Sequence, residues 1–209
     1  MNPYVAKIII AARKEDSINA IAARISLSYG WTYKWVNVLA KKGVFRLTRM
    51  NCFIDEHSSW CSRTISHINA VFGRDVQFYY EVLSLLGIRY CFTQTDAVFI
   101  WTKGGYNIAR YKDFYPIFIR VKKSDRKIFE AYIKKLKLPI SRKQGIFYRV
   151  KYEEDFPISF CEGVPVDSLD GTIQFMNDNI YNFEPALEMV KDMYGKKINA
   201  VYQEAVTNV

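Results

Sequence analysis

Apolar residues recur along this chain at two spacings, and the change from one to the other marks its organisation. Between Ser17 and Asp55, Ala20, Ile21, Ala22 and Ile25 share one side of a short helix, and Trp35, Val36, Leu39 and Ala40 share one side of the next. Both sets follow the i, i+3, i+4 recurrence of a buried helical stripe, so the two helices are expected to pack on each other. Leu27-Ser28-Tyr29-Gly30 forms the turn between them, with Ser28 as N-cap. Lys41-Lys42-Gly43 ends the second helix, because cations suit the C-terminal dipole and glycine accepts the left-handed cap. Val44 to Thr48 and Cys52 to Ile54 then read as short strands around Arg49-Met50-Asn51, a β-hairpin. Helix, turn, helix, glycine and basic hairpin in that order predict a winged helix-turn-helix.

Pro3 to Ala12 supplies a first, supporting helix with proline at an early position; helix two runs about Ser17 to Leu27 and helix three about Gly30 to Lys42. His57 to Gly73 reads as a linking helix with Cys61, Ile65, Ile68 and Phe72 on one stripe. Beyond it, Asp75 to Leu86 is an amphipathic helix closed by Gly87, and Ile88 to Thr93 is a strand. Gln94 to Trp101 fits either a continued strand or a short buried helix. Strands are predicted over Tyr115 to Val121, Ile146 to Tyr152 and Ile158 to Cys161, with a helix over Ser124 to Leu136 capped by Ser124. Another helix follows over about Leu169 to Asn177, and Pro185 to Ala205 is a terminal helix or a pair broken at Gly195. The expected class is α+β: a winged helix-turn-helix with its linking helix over 1–72, then a mixed α/β domain over 73–209 with a C-terminal helix.

Composition agrees with a folded chain, at 209 residues, 50% hydrophobic and 16% aromatic. The longest apolar run, Ile8 to Ala12, is far short of the roughly 20 residues of a membrane span, and charges hem it in as they would not in a signal peptide. A cytoplasmic protein with no membrane partner is expected. Four scattered cysteines without a CxxC argue against a disulfide framework. Charge is distributed unevenly: residues 1–72 carry ten Lys/Arg against four Asp/Glu, 110–151 fourteen against three, and 152–209 three against eleven. A basic first domain has the footprint of a DNA binder, since phosphate neutralisation supplies most non-specific affinity. The second polarity has two readings, pairing of basic and acidic segments across one domain or a separate basic binding surface.

If helix three enters the major groove, Tyr29, Thr32, Tyr33, Lys34 and Asn37 lie off its apolar stripe and face the bases, with Lys41 at its end. Asparagine can bind adenine bidentately there, and Arg46 and Arg49 on the wing suit the backbone or minor groove. Lys122, Lys123, Arg126 and Lys127 form the candidate second basic surface. Cys52, His57, Cys61 and His67 invite a zinc reading, but their spacings match no zinc pattern and His67 lies off the face shared by His57 and Cys61, so no metal is expected. Nucleotidyl transfer needs paired carboxylates on a strand around magnesium, whereas Asp113-Phe114-Tyr115 has a tyrosine where the second acid belongs. No cofactor and no catalytic site are predicted.

Ile21-Ala22, Ser28 and Gly43-Val44, then Tyr90 to Thr93, then Val164 to Ser168 with Thr172 resemble the AbiEi-like antitoxin and transcriptional-regulator family. The resemblance covers most of the chain through short motifs, and the acidic C-terminal segment departs from it. It implies transcription regulation by autorepression through the winged helix, and a nucleotidyltransferase toxin as partner. Homodimers on palindromic double-stranded DNA sites are the prior for such regulators. Two other readings stand beside this one. The chain would bind RNA or single strands through 110–151, where Tyr111, Phe114, Tyr115, Phe118 and Phe147 interleave with cations, or it would be an enzyme with a degenerate nucleotidyltransferase-like domain.

Overall fold

The computed structural model describes residues 2–71, 75–108, 110–111 and 113–196. Phe72 and Gly73 of the predicted linking helix, and the part of the predicted terminal helix beyond 196, lie outside the described residues. In chain order the elements are α1 (Pro3–Ala11), β1 (Glu15–Asp16), α2 (Ile18–Arg24), α3 (Tyr29–Lys41), β2 (Phe45–Leu47), β3 (Cys52–Ile54), α4 (Ser59–Val71) and α5 (Val76–Glu81). There follow β4 (Tyr90–Phe92), α6 (Thr95–Trp101), β5 (Phe114–Lys122), α7 (Arg126–Leu136), β6 (Gly145–Glu153), β7 (Ser159–Cys161), β8 (Val164–Val166), α8 (Leu169–Asp178) and α9 (Ile180–Tyr194). The mixed α+β class holds. Two compact units form, one from residues 127–138 with the described residues up to 88, the other from 89–126 with those from 139 on.

Local chemistry accounts for the first unit's helices. Ser17 Oγ accepts the Ala20 N–H at 3.1 Å and Ser28 Oγ accepts the Trp31 N–H at 3.3 Å, so each helix begins on a side-chain cap. At the end of α3, Gly43 at φ +74° lets its N–H reach the Ala40 carbonyl at 3.0 Å and the Val44 N–H reach Leu39 at 2.9 Å. That paired closure satisfies two terminal carbonyls and brings Val44 down beside Leu39. Both are buried, in a core with Ile8, Ile9, Ile21, Val36, Phe45 and Cys52. The hairpin forms as predicted, with Phe45 opposite Ile54 and Leu47 opposite Cys52. Its sheet has a third strand that periodicity did not predict: β1 pairs antiparallel with β3, giving the order β1-β3-β2.

A buried ion pair holds these parts in place. Arg24 Nη1 lies 2.7 Å from Asp16 Oδ2, with side chains only 6% and 5% exposed, and also donates to the Ala11 carbonyl at 2.6 Å. Tyr132 of α7 donates to the same carbonyl at 2.7 Å, and Lys135 Nζ to Ala12 at 3.0 Å. Helix α1 has no basic residue in its last turn, so α2 and α7 satisfy its terminal carbonyls from outside. Gly87 makes room for Arg24, since a Cβ there would stand 1.8 Å from its Cγ. Helix α5 and α7 thus count with the first unit, and the boundary drawn at 72/73 from sequence falls inside it.

In the second unit a five-stranded mixed sheet runs β6-β5-β4-β8-β7. β5 and β6 are parallel over nine residue pairs, while β4 is antiparallel to β5 and parallel to β8. Val98, Met176, Phe183, Ala186, Leu187 and Val190 from α6, α8 and α9 form an apolar core. The ambiguous stretch Gln94 to Trp101 resolves as a helix. Its Asp96, fully buried, accepts from Arg110 at 2.6 Å and from the Phe118 N–H at 2.6 Å, which fixes α6 on β5. Ser124 does not cap α7, because it lies in the 3-10 turn Lys123–Asp125 ahead of that helix. Helix α9 begins at Ile180, carries Pro185 inside it and ends at Gly195, φ +62°.

Two outcomes are expected. Asp16→Ala leaves Arg24 buried without its carboxylate and lowers stability by about 3–5 kcal/mol, to be read from denaturant unfolding. Burial pushes the Cys52 thiol up from 9.0 to about 11. The unfolded thiol therefore releases its proton before the folded one, and this contribution to stability is lost as pH rises between those values. Melting temperatures should fall across that interval, less steeply in Cys52→Ala.

Candidate nucleic-acid interface

Helix α3 turns Val36 and Leu39 inward, and the structure adds Thr32 to that buried face. Thr32 is fully buried with its hydroxyl donating to the Ser28 carbonyl at 3.0 Å, so it leaves the set of groove-facing residues. Its position differs from expectation because Thr32, one turn before Val36, lies on the same stripe. At 100° per residue, Lys34, Asn37 and Lys41 share the opposite side of the helix. Lys34 and Lys41 are exposed there; Asn37 is half-buried and donates to the Tyr33 carbonyl at 2.8 Å. The Lys34 ammonium rests 4.9 Å from the Trp31 ring centroid. Tyr29, 51% exposed, stacks on Tyr33 with centroids 5.8 Å apart.

Tyr29, Tyr33 and Arg49 come together in one groove of about 490 Å³ between α3, the start of α2 and the hairpin. Lys34, Lys41 and Arg46 do not line it. Arg46 lies over the Phe53 ring at 4.6 Å, holding its guanidinium on the hairpin's outer face. Met50 at the hairpin tip is 79% exposed, and with Leu47 it gives the groove an apolar component that the sequence reading did not include. Its signal was available, since these residues lie off the apolar stripes. From Ser17 to Ile54 the chain has six Lys/Arg and no Asp or Glu. Arg24 is consumed internally, and the other five cations are exposed.

The second basic set is less coherent. Lys123 pairs with Glu154 at 2.6 Å, Arg126 lies over the Tyr152 ring at 4.8 Å, and Lys127 belongs to the other unit; Lys122 is half-buried at the end of β5. Pairing between the basic and acidic segments occurs, with Arg120 3.0 Å from Asp167 and Lys151 2.6 Å from Glu153. Of the interleaved aromatics, Tyr115 and Phe147 are buried, whereas Tyr111 is exposed. The second unit's two buried aspartates among the described residues, Asp96 and Asp167, are each held by an arginine. Among the described residues no three His, Cys, Asp or Glu side chains are grouped to hold a metal, and no helix is long and apolar enough to cross a membrane. No protein-family model, curated protein or solved structure matches the chain.

Proposed function

We propose that the chain is a double-stranded-DNA-binding transcriptional regulator whose first unit acts as a winged helix-turn-helix. One observation carries this reading: 38 consecutive residues with no carboxylate fold into a helix pair and hairpin that leave five cations exposed. Phosphates reward such a surface with counterion release, and no fixed negative charge opposes them from within the segment. In this reading α3 lies in the major groove, with Lys34 and Lys41 on phosphates and Asn37 released from the Tyr33 carbonyl to meet a base. Arg49 and Met50 reach the flanking backbone and minor groove from the wing, and Tyr29 and Tyr33 meet sugars and thymine methyls.

The resemblance to AbiEi-like antitoxins extends the proposal. The chain binds its own promoter as a dimer in the cytoplasm, acts by binding and not by catalysis, and its second unit meets a nucleotidyltransferase toxin.

Gel retardation of duplex DNA over a salt series tests the first part. The full chain should bind with a steep inverse dependence on salt. Lys34→Ala, Lys41→Ala and Arg49→Ala should each reduce the log–log slope by about one, and Asn37→Ala should cost about 1–3 kcal/mol at an adenine of the selected site. Retardation that ignores salt and survives the triple cation variant would falsify the reading.

A further inference from the structure

The second unit carries a cleft of about 290 Å³ on one face of its sheet, lined by side chains that the DNA-binding reading does not use. Side chains two apart on a strand share a face, so Phe118 and Arg120 of β5 lie beside Arg149 and Lys151 of β6. The parallel register sets Phe118 opposite Arg149 and Arg120 opposite Lys151. An aromatic ring and three cations thus meet on two adjacent strands, with Thr93, Gln94 and Ser141 at the margin.

Two carboxylates face this cluster. Asp167 accepts from Arg120 at 3.0 Å and from the Thr93 hydroxyl, and Glu153 lies 2.6 Å from Lys151 and 3.8 Å from Arg120. Arg149 makes no ion pair among the described residues and rests over the Phe147 ring at 5.7 Å. Nε of Arg120 is buried with no hydrogen-bond partner. The margin also has unusual backbone: Gln94 adopts φ +54°, ψ −128°, and Ser141 φ +48°. The first lies in a region that side chains other than glycine avoid, at a cost of order 1–3 kcal/mol, and such residues gather at ligand sites.

We propose that this cleft binds a free nucleotide, with its phosphate between Arg149 and Lys151 and its base against Phe118. Cations in a concave site recognise the phosphate, and an aromatic face stacks a base of any identity. The volume sits at the lower end of small-molecule sites, about 300 Å³, which suits one nucleotide. A polymer would need a continued cationic track. Outside the cleft, Lys123 is tied to Glu154 and Arg89 to Asp155, whereas Arg142 and Lys143 after Ser141 are exposed, so it is the small volume of the cleft that limits the site to a single unit.

Fluorescence anisotropy of the full chain with N-methylanthraniloyl-AMP provides the test, with unlabelled AMP, inorganic phosphate and oligouridylates as competitors. The expected result is saturable binding that AMP displaces at least tenfold better than phosphate. Binding should weaken about tenfold or more in Arg149→Gln/Lys151→Gln, two exposed positions whose replacement leaves the circular-dichroism melt unchanged. Phe118→Leu should narrow the preference for AMP over phosphate. Every residue involved lies in the second unit, so retardation of duplex DNA should persist in the double variant, which separates this inference from the DNA-binding reading. Absence of saturable binding at millimolar AMP overturns the inference, as does undiminished binding in the folded double variant. Equal displacement by phosphate reduces the cleft to an anion site and overturns the nucleotide assignment. Affinity for oligouridylates that grows with their length assigns the face to single-stranded RNA instead.

Discussion

The Asp16–Arg24 pair is the constraint on which the first unit turns. Asp16 accepts backbone N–H groups from Arg13 and Ser17 at 3.1 Å each, so the link between α1 and α2 wraps around its carboxylate. Burial works against the charge on Arg24, but the hydrogen bond to Asp16 together with the nearby Tyr132, Asp16 and Cys52 side chains outweighs it, and the guanidinium pKa rises above its ordinary value. One end of the pair sits in β1, which pairs with β3; the other sits in α2, which packs on α3. The pair thus ties the strand beside the hairpin to the helix that packs on α3, alongside the shared apolar core and the Gly43 closure. Such a pair adds little net stability over an apolar substitute but is costly to break, which makes it a device for fixing geometry.

The same logic explains the membership of α7. Helix α1 ends without a cation of its own, and its last carbonyls would be buried unpaired if Arg24, Tyr132 and Lys135 did not reach them. Lys135 has its pKa lowered by burial, an effect that Glu56 opposes. A helix from far along the chain is therefore part of the unit that carries the candidate interface. Interrupting it would disturb a helix terminus at the start of the chain.

Charge is used differently in the two units. In the first, the exposed cations of α3 and the hairpin have no carboxylate within their own segment and two of them rest on aromatic rings, Lys34 on Trp31 and Arg46 on Phe53. In the second, cations of the basic segment are drawn into pairs with Glu153, Glu154 and Asp167. Total charge thus says less than placement.

The sequence by itself determined the parts whose information is local. The Ser28 cap, the Gly43 closure, the apolar stripes of α2 and α3 and the hairpin turn all arise from residues within a few positions of one another, and the chain reads them out in order. It did not determine β1, because a two-residue strand has no period to detect. Nor did it settle α6, whose helical state depends on a buried aspartate paired with Arg110. Thr32 was misplaced because the width of a buried face depends on what packs against it. Tertiary structure alone decided that α7 belongs with the first unit, and that Arg120, Arg149 and Lys151 stand together. The reason is physical: side-chain periodicity fixes which way a residue faces on its own element, but only strand register and long-range hydrogen bonds fix which distant residue it faces.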